Sequence, residues 1–278
     1  MYKRQAPSAE DVGNGLVITD APEGEVGNEF VWIPVANIND MANETSGTDS
    51  NGNPNYQGKL YDFTSDGATE KTNYGQGTTS CREPDIVSIY DNDSTYLDII
   101  KGILTDNADD YTDMNTFKTT MQEDYNEMIK SVEKYGGFYI GRYEMSKSSS
   151  NTTQSKKNST ALTALASSAN TWYGLYSYGK KYTNPYNPNG IVSSMIWGSQ
   201  YDAMLRWMQS NGEDVTSSTV PNGGSKNTSN TTTGPEGDTD IIRNVYDLYG
   251  GRIECTLEAY NTDNRVSRGR CLRPQHFT

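Results

Sequence analysis

Three cysteines, one histidine and several clusters of carboxylates are the side chains here whose chemistry could do more than fold the chain. Cys81, Cys255 and Cys271 form no C-x-x-C pair, so their spacing fits neither a zinc knuckle nor a thioredoxin-like dithiol. One disulfide with a thiol left over, or three unrelated thiols, both stay open. Three cysteines fix no redox compartment. His276 is the sole imidazole. A Ser-His-Asp triad would have to use it as base, and a centre of several histidines cannot be built. Asp91-Asn92-Asp93, Asp106-Asn107-Ala108-Asp109-Asp110 and Asp49-Ser50-Asn51-Gly52 offer the hard oxygens that calcium prefers. None has the glycine and closing glutamate of an EF-hand loop, so solvated loop carboxylates are expected.

Aromatic residues suggest binding instead. Trp172, Tyr173, Tyr176, Tyr178, Tyr182 and Tyr186 are interleaved with Gly, Ser, Asn and Pro. That mixture makes adaptable binding surfaces, because tyrosine gives large amphipathic contact area at low entropy cost. The same residues could equally pack the loops of an irregular fold.

The elements that must position these groups lie in a chain of 278 residues with 23 Lys plus Arg against 36 Asp plus Glu, a formal net charge of −13. The length suits one large domain or two small ones. The charge weighs against a nucleic-acid partner, which needs basic surface to displace counterions, and against docking on anionic lipid. No apolar run approaches the roughly 20 residues of a membrane helix, so no membrane span is expected.

Met1-Tyr2-Lys3-Arg4-Gln5 joins no pattern downstream and looks like a translated adapter, a non-native leader to a fragment. Residues 6–27 read as a linker or edge strand, with Gly15–Thr19 extended. Glu29–Val35, Phe138–Met145, Ile253–Ala259 and Arg265–Ser267 read as strands. Two helices are expected. The first covers Asp113 to Tyr135, with Tyr125, Met128, Ile129 and Val132 as its apolar stripe and Gly136-Gly137 as its stop. The second is capped by Ser199, with Asp202 in the capping-box position and a stripe of Tyr201, Met204, Leu205 and Met208. Residues 41–80, 147–160 and 211–240 are polar and read as long loops. Residues 270–278 read as an atypical or truncated tail with no closing strand. The fold class is α+β, with two helices, short twisted strands and long irregular loops.

Phe30-Val31-Trp32-Ile33-Pro34, Phe138-Tyr139-Ile140-Gly141-Arg142-Tyr143-Glu144-Met145, Ile196-Trp197-Gly198-Ser199-Gln200-Tyr201-Asp202-Ala203-Met204 and Asn244–Thr256 follow one another in order, and Arg265-Val266-Ser267-Arg268-Gly269 comes after them. Together they resemble the formylglycine-generating enzyme family, also called the sulfatase-modifying-factor domain. The resemblance spans residues 28–269 and implies a single domain with a variant of the C-type lectin fold. It also implies copper held by two thiolates close after the R-G-G-S strand, used to oxidise a substrate cysteine to formylglycine with oxygen. Cu(I) requires such soft ligands. Here only Cys271 follows Gly269, and Cys255 stands at a packing position of the family pattern. A structural calcium is implied at the G-N-x-W-E turn, where Glu254 is kept but Gly251 replaces the asparagine.

Members of this fold class also serve as receptors diversified by a retroelement on the C-terminal strands. The departures here cluster there: Gly251, Arg252, Ile253, Cys255, Ser267 and Arg270. The expectation is a non-catalytic binder of a protein or glycan, bacterial or phage in origin, extracellular or on a cell surface. Its candidate binding residues are Arg252, Ile253, Cys255, Ser267 and Arg270. Glu254 is the candidate calcium ligand, and no other cofactor is expected. The alternatives are a copper-dependent oxidoreductase and a structural surface or pilus-associated module.

Overall fold

A computed structural model describes residues 8–72, 83–84, 94–104, 111–148, 152–162, 172–182, 191–216, 232–235, 237–250, 254–259, 265–268 and 275–277. The chain is mixed α and β. Helix α1 (Ala9–Gly13) leads into β1 (Val17–Thr19) and β2 (Glu29–Pro34). Strands β3 (Ala42–Thr48), β4 (Pro54–Gly58), β5 (Tyr61–Thr64) and β6 (Gly67–Glu70) follow, then α2 (Ser94–Ile103) and α3 (Met114–Tyr135). Next come β7 (Gly137–Gly141), β8 (Ser146–Lys147), β9 (Thr153–Gln154), α4 (Trp172–Gly179) and α5 (Gly198–Ser210). Strands β10 (Ile241–Ile242), β11 (Val245–Tyr246), β12 (Glu254–Ala259), β13 (Arg265–Arg268) and β14 (Gln275–Phe277) close the order.

β2 is the centre of a three-stranded antiparallel sheet, β1-β2-β7. Alternation turns Val31 and Ile33 of β2 inward, where both are fully buried, together with Phe138 of β7. Tyr139 points the other way and is half exposed. α3 packs beneath them. Its N-cap Asp113 accepts from the amides of Asn115 and Thr116, and Gly136 ends it in the left-handed conformation at φ 78°. Of the expected stripe Tyr125, Ile129 and Val132 are buried and Met128 is partly buried, and Phe117 and Met121 extend it toward the N-terminus.

Several expectations are corrected. Five helices are present among the described residues, not two. The polar stretch 41–80 carries two hairpins, β3–β4 and β5–β6. Their turns contain Gly52 and Gly67 at positive φ, which suits the Asn-Gly and Asp-Gly steps that precede many hairpin turns. Main-chain pairing holds these strands, so their side chains need not alternate in polarity. In the stretch 147–160, β8 and β9 pair. Ser155 is buried there and bonds both main-chain groups of Tyr143. The expected exposed loop is thus partly core. Of 211–240, residues 217–231 and 236 lie outside the described residues.

The tail also differs from expectation. β14 pairs antiparallel with β13, so a closing strand is present. Finally, α5 begins at Gly198, with Trp197 rather than Ser199 at the N-cap. Ser199 is buried inside the first turn, and Gln200 Oε1 accepts from the Trp197 amide.

Candidate functional site

The β12–β13 ribbon holds the described part of the predicted binding surface. Cys255 and Ser267 sit opposite each other in register, and Glu254 sits opposite Arg268. Arg252, Ile253 and Arg270 lie outside the described residues, as do Gly251, Cys81 and Cys271. The ribbon is pinned from two sides. Leu257 donates its amide to the Ile196 carbonyl at 2.9 Å. The Trp172 indole donates to the Thr256 carbonyl at 2.9 Å. The Cys255 thiol packs against the core. Burial, and then the neighbouring Glu254 carboxylate, push its pKa up to about 12. It is therefore a protonated thiol at neutral pH, opposite in character to the electropositive surroundings that make a cysteine a nucleophile or a metal-binding thiolate.

Beneath the ribbon lies a buried ionic cluster that the sequence did not announce. Arg268 of β13 points inward with 13% of its side chain exposed. Its Nη1 meets Asp202 Oδ1 at 2.8 Å, and its Nε and Nη2 meet Glu258 Oε2 at 3.0 and 2.5 Å. The guanidinium lies 5.5 Å from the centre of the Tyr201 ring. Asp202, on the first turns of α5, also takes the Tyr61 amide on Oδ2 at 2.7 Å. Burial raises the Asp202 pKa to about 6 against the pull of Arg268, so it is ionised at neutral pH.

Glu83 completes the cluster from a distant part of the chain. Its carboxylate accepts from the amides of Gly198 and Ser199 at 2.5 and 3.0 Å and so caps α5 from 115 residues away in sequence. Its main-chain carbonyl accepts from the Gly58 amide. Burial, then the Glu258 charge, raise its pKa to about 7. Gly198 permits the approach. A Cβ there would stand 2.8 Å from Glu258 Oε2 and 2.9 Å from Glu83 Oε1.

Glu254 faces a second acidic region. Its Oε2 is closed off from solvent and has no hydrogen-bond partner among the described residues. Burial, then Glu144 and the charges of Asp247 and Asp240, hold its pKa well above the carboxylate range. Asp247 Oδ2 accepts from the Gly234 amide and Asp240 Oδ1 from the Tyr249 amide. These oxygens have the chemistry of calcium ligands. Yet among the described residues no three acidic, thiol or imidazole side chains converge on one point. Glu254 fits such a cation as a single donor, and main-chain carbonyls would have to supply much of the shell.

The other candidate residues turn out to be structural where they are described. Asp49 accepts from the amides of Asn51 and Asn53 and from the side chains of Asn53 and Asn126. Lys130 donates to Asn53 Oδ1 beside it. Donors thus fill the place a cation would take. Asp91–Asp93, Asp106–Asp110 and Tyr186 fall outside the described residues. Trp172, Tyr173, Tyr176 and Tyr178 are not loop residues but form α4, which buries Tyr173 and Tyr176. Tyr176 bonds Tyr111 at 3.1 Å, and Lys180 pairs with Asp124 beside them. Tyr182 donates to Asp20.

Sequence reasoning missed Glu83 entirely and read Asp202 only as a helix-capping residue. One signal was legible: Glu258 sits between the apolar Leu257 and Ala259 in a strand. Such a charge needs a buried partner.

No family model matches this sequence. No curated protein and no solved structure matches it significantly.

Proposed function

We propose that this chain is a non-catalytic ligand-binding protein on a formylglycine-enzyme-like, C-type-lectin-type scaffold. It takes a protein or glycan ligand through the C-terminal residues Arg252, Ile253, Cys255, Ser267 and Arg270 and is displayed outside a bacterial cell or phage. The observation that carries this reading is the state of Cys255. A copper site in this chain would have to recruit it as the second thiolate beside Cys271, and its surroundings keep it a neutral thiol packed on the core. The ionisable groups beneath the ribbon favour the same reading. Arg268, Asp202 and Glu258 are spent on one another, which makes a rigid support with two strands presented above it. A rigid scaffold under a variable surface is how many binding proteins separate stability from recognition.

Glycan and protein arrays probed with the purified chain test it. A ligand is expected whose affinity falls about tenfold or more in the combined variant R252A/S267A/R270A, at unchanged thermal stability. A ligand bound equally well by that variant would move the site elsewhere. Silence on both arrays would favour a structural surface module. Cu(I) titration is the counter-test. Binding tighter than in the double variant C255S/C271S would turn the protein into an oxidoreductase.

We propose further that Glu254 is a ligand of a structural calcium ion. The buried, unpartnered oxygen and its acidic neighbours support this, since a divalent cation would offset their mutual repulsion. Saturating calcium is expected to raise the melting temperature of the wild type, by about 2.7 kcal/mol of stability at a hundredfold excess over Kd. E254Q is expected to show no shift. An equal shift in both would remove Glu254 from the ligand set.

A further inference from the structure

The cluster under the ribbon holds three carboxylates, Glu83, Asp202 and Glu258, against one guanidinium, Arg268. Among the described residues its charges do not balance. Asp202 and Glu258 each touch Arg268 directly. Glu83 has no cation partner among the described residues. Among the described residues its oxygens meet the two amides that open α5 and the Ser199 hydroxyl, and Glu258 lies across Gly198 from it. Those amides and the helix dipole favour charge on Glu83, but complete burial and the nearby Glu258 oppose it more strongly.

Around Glu83, α5 presents Gly198, Ser199 and, one turn on, Asp202 and Tyr201. β12 presents Glu258, and β13 presents Arg268. α3 presents the Tyr125 hydroxyl, which bonds Ser199 Oγ at 3.0 Å. β4 presents only the main chain of Gly58. Lys71, beyond β6, acts on Asp202.

We propose that Glu83 keeps its proton where Glu258 faces it across Gly198, so that the joint between Glu83, α5 and the ribbon is a proton-dependent latch, tighter in acid and looser in alkali. In its closed state the protonated carboxyl of Glu83 donates to Glu258, which stays paired with Arg268. Loss of the proton leaves two like charges facing each other over a glycine in a buried site, where repulsion is poorly screened.

The sign follows from linkage. Glu83 holds its proton to about pH 7 in the folded chain, above its ordinary value of 4.5. Between those values the folded state binds a proton that the unfolded chain has released, so stability falls as pH rises through that window. Above it no further loss comes from this group. The folding equilibrium constant should drop on the order of a hundredfold from this site across the window.

Urea unfolding of the full chain and of E83Q across about pH 5 to pH 8 reads this directly. Asp202 titrates in both proteins, so the difference between the two profiles isolates Glu83. Glutamine mimics the protonated acid, donating to Glu258 while still accepting an α5 amide. The wild type is expected to lose stability relative to E83Q as pH rises. Parallel profiles overturn the latch. If E83Q does not fold, carbon NMR of the Glu83 carboxyl in the wild type decides. A midpoint near 7 supports the retained proton, and one at the ordinary glutamate value overturns it.

Discussion

Arg268→Met should lower folding stability by about 3–5 kcal/mol, the largest single loss among the charged residues. The substitution keeps most of the side-chain volume and removes the only cation in contact with Asp202 and Glu258 among the described residues. Both carboxylates are then left buried, Asp202 fully so. The cost is therefore the desolvation of two orphaned charges, not the net worth of the ion pairs. Urea denaturation should show a lower midpoint with an unchanged slope. Acid should rescue the variant, because protonating the stranded carboxylates removes the penalty. Adding E258M in the same background should recover part of the loss by deleting one orphan. A loss below about 1 kcal/mol would mean that solvent reaches the cluster, as it does at surface pairs.

Phe117→Ala is expected to cost about 3–5 kcal/mol through the cavity it leaves. Phe117 is fully buried on α3. Its ring lies 5.8 Å from that of Tyr111, 6.3 Å from Tyr173 and 5.6 Å from Tyr176. The hole would open beside the Tyr111–Tyr176 hydroxyl pair, so α4 cannot collapse inward without disturbing a buried hydrogen bond. The loss should appear in the urea midpoint, with reduced near-UV circular dichroism from the aromatic cluster. A cost under about 1 kcal/mol would indicate that α4 packs loosely and that its tyrosines are free to face a ligand.

The two variants separate what was readable in the chain from what was not. α3 was legible because its information is local: Asp113 caps it, an apolar stripe repeats every turn and glycine ends it. Strands β2, β7, β12 and β13 were legible for a similar reason, since β-branched and aromatic residues cluster there. The helix α4 was not. Its residues, Trp172 to Gly179, carry two glycines and a serine among aromatics, a poor intrinsic helix sequence that tertiary burial overrides. The hairpins β3–β4 and β5–β6 went unread although their glycine turns were visible, because polar strands lack the alternation that marks a half-buried sheet.

Of the predicted binding positions, Cys255 and Ser267 were brought face to face by strand pairing. The cluster beneath them had no counterpart in the pattern of the chain. Glu83 reaches α5 over 115 residues and Arg268 reaches Asp202 over 66. A carboxylate that caps a helix so far away reads, in sequence, like any solvated glutamate. The amino-acid order by itself determined the α+β class, the principal helix and the strands of the ribbon, because those depend on neighbours within a turn or two. The tertiary structure alone decided which charges are buried together and which thiol stays protonated. Burial and Coulomb interaction depend on distance in space, and no local pattern encodes that distance.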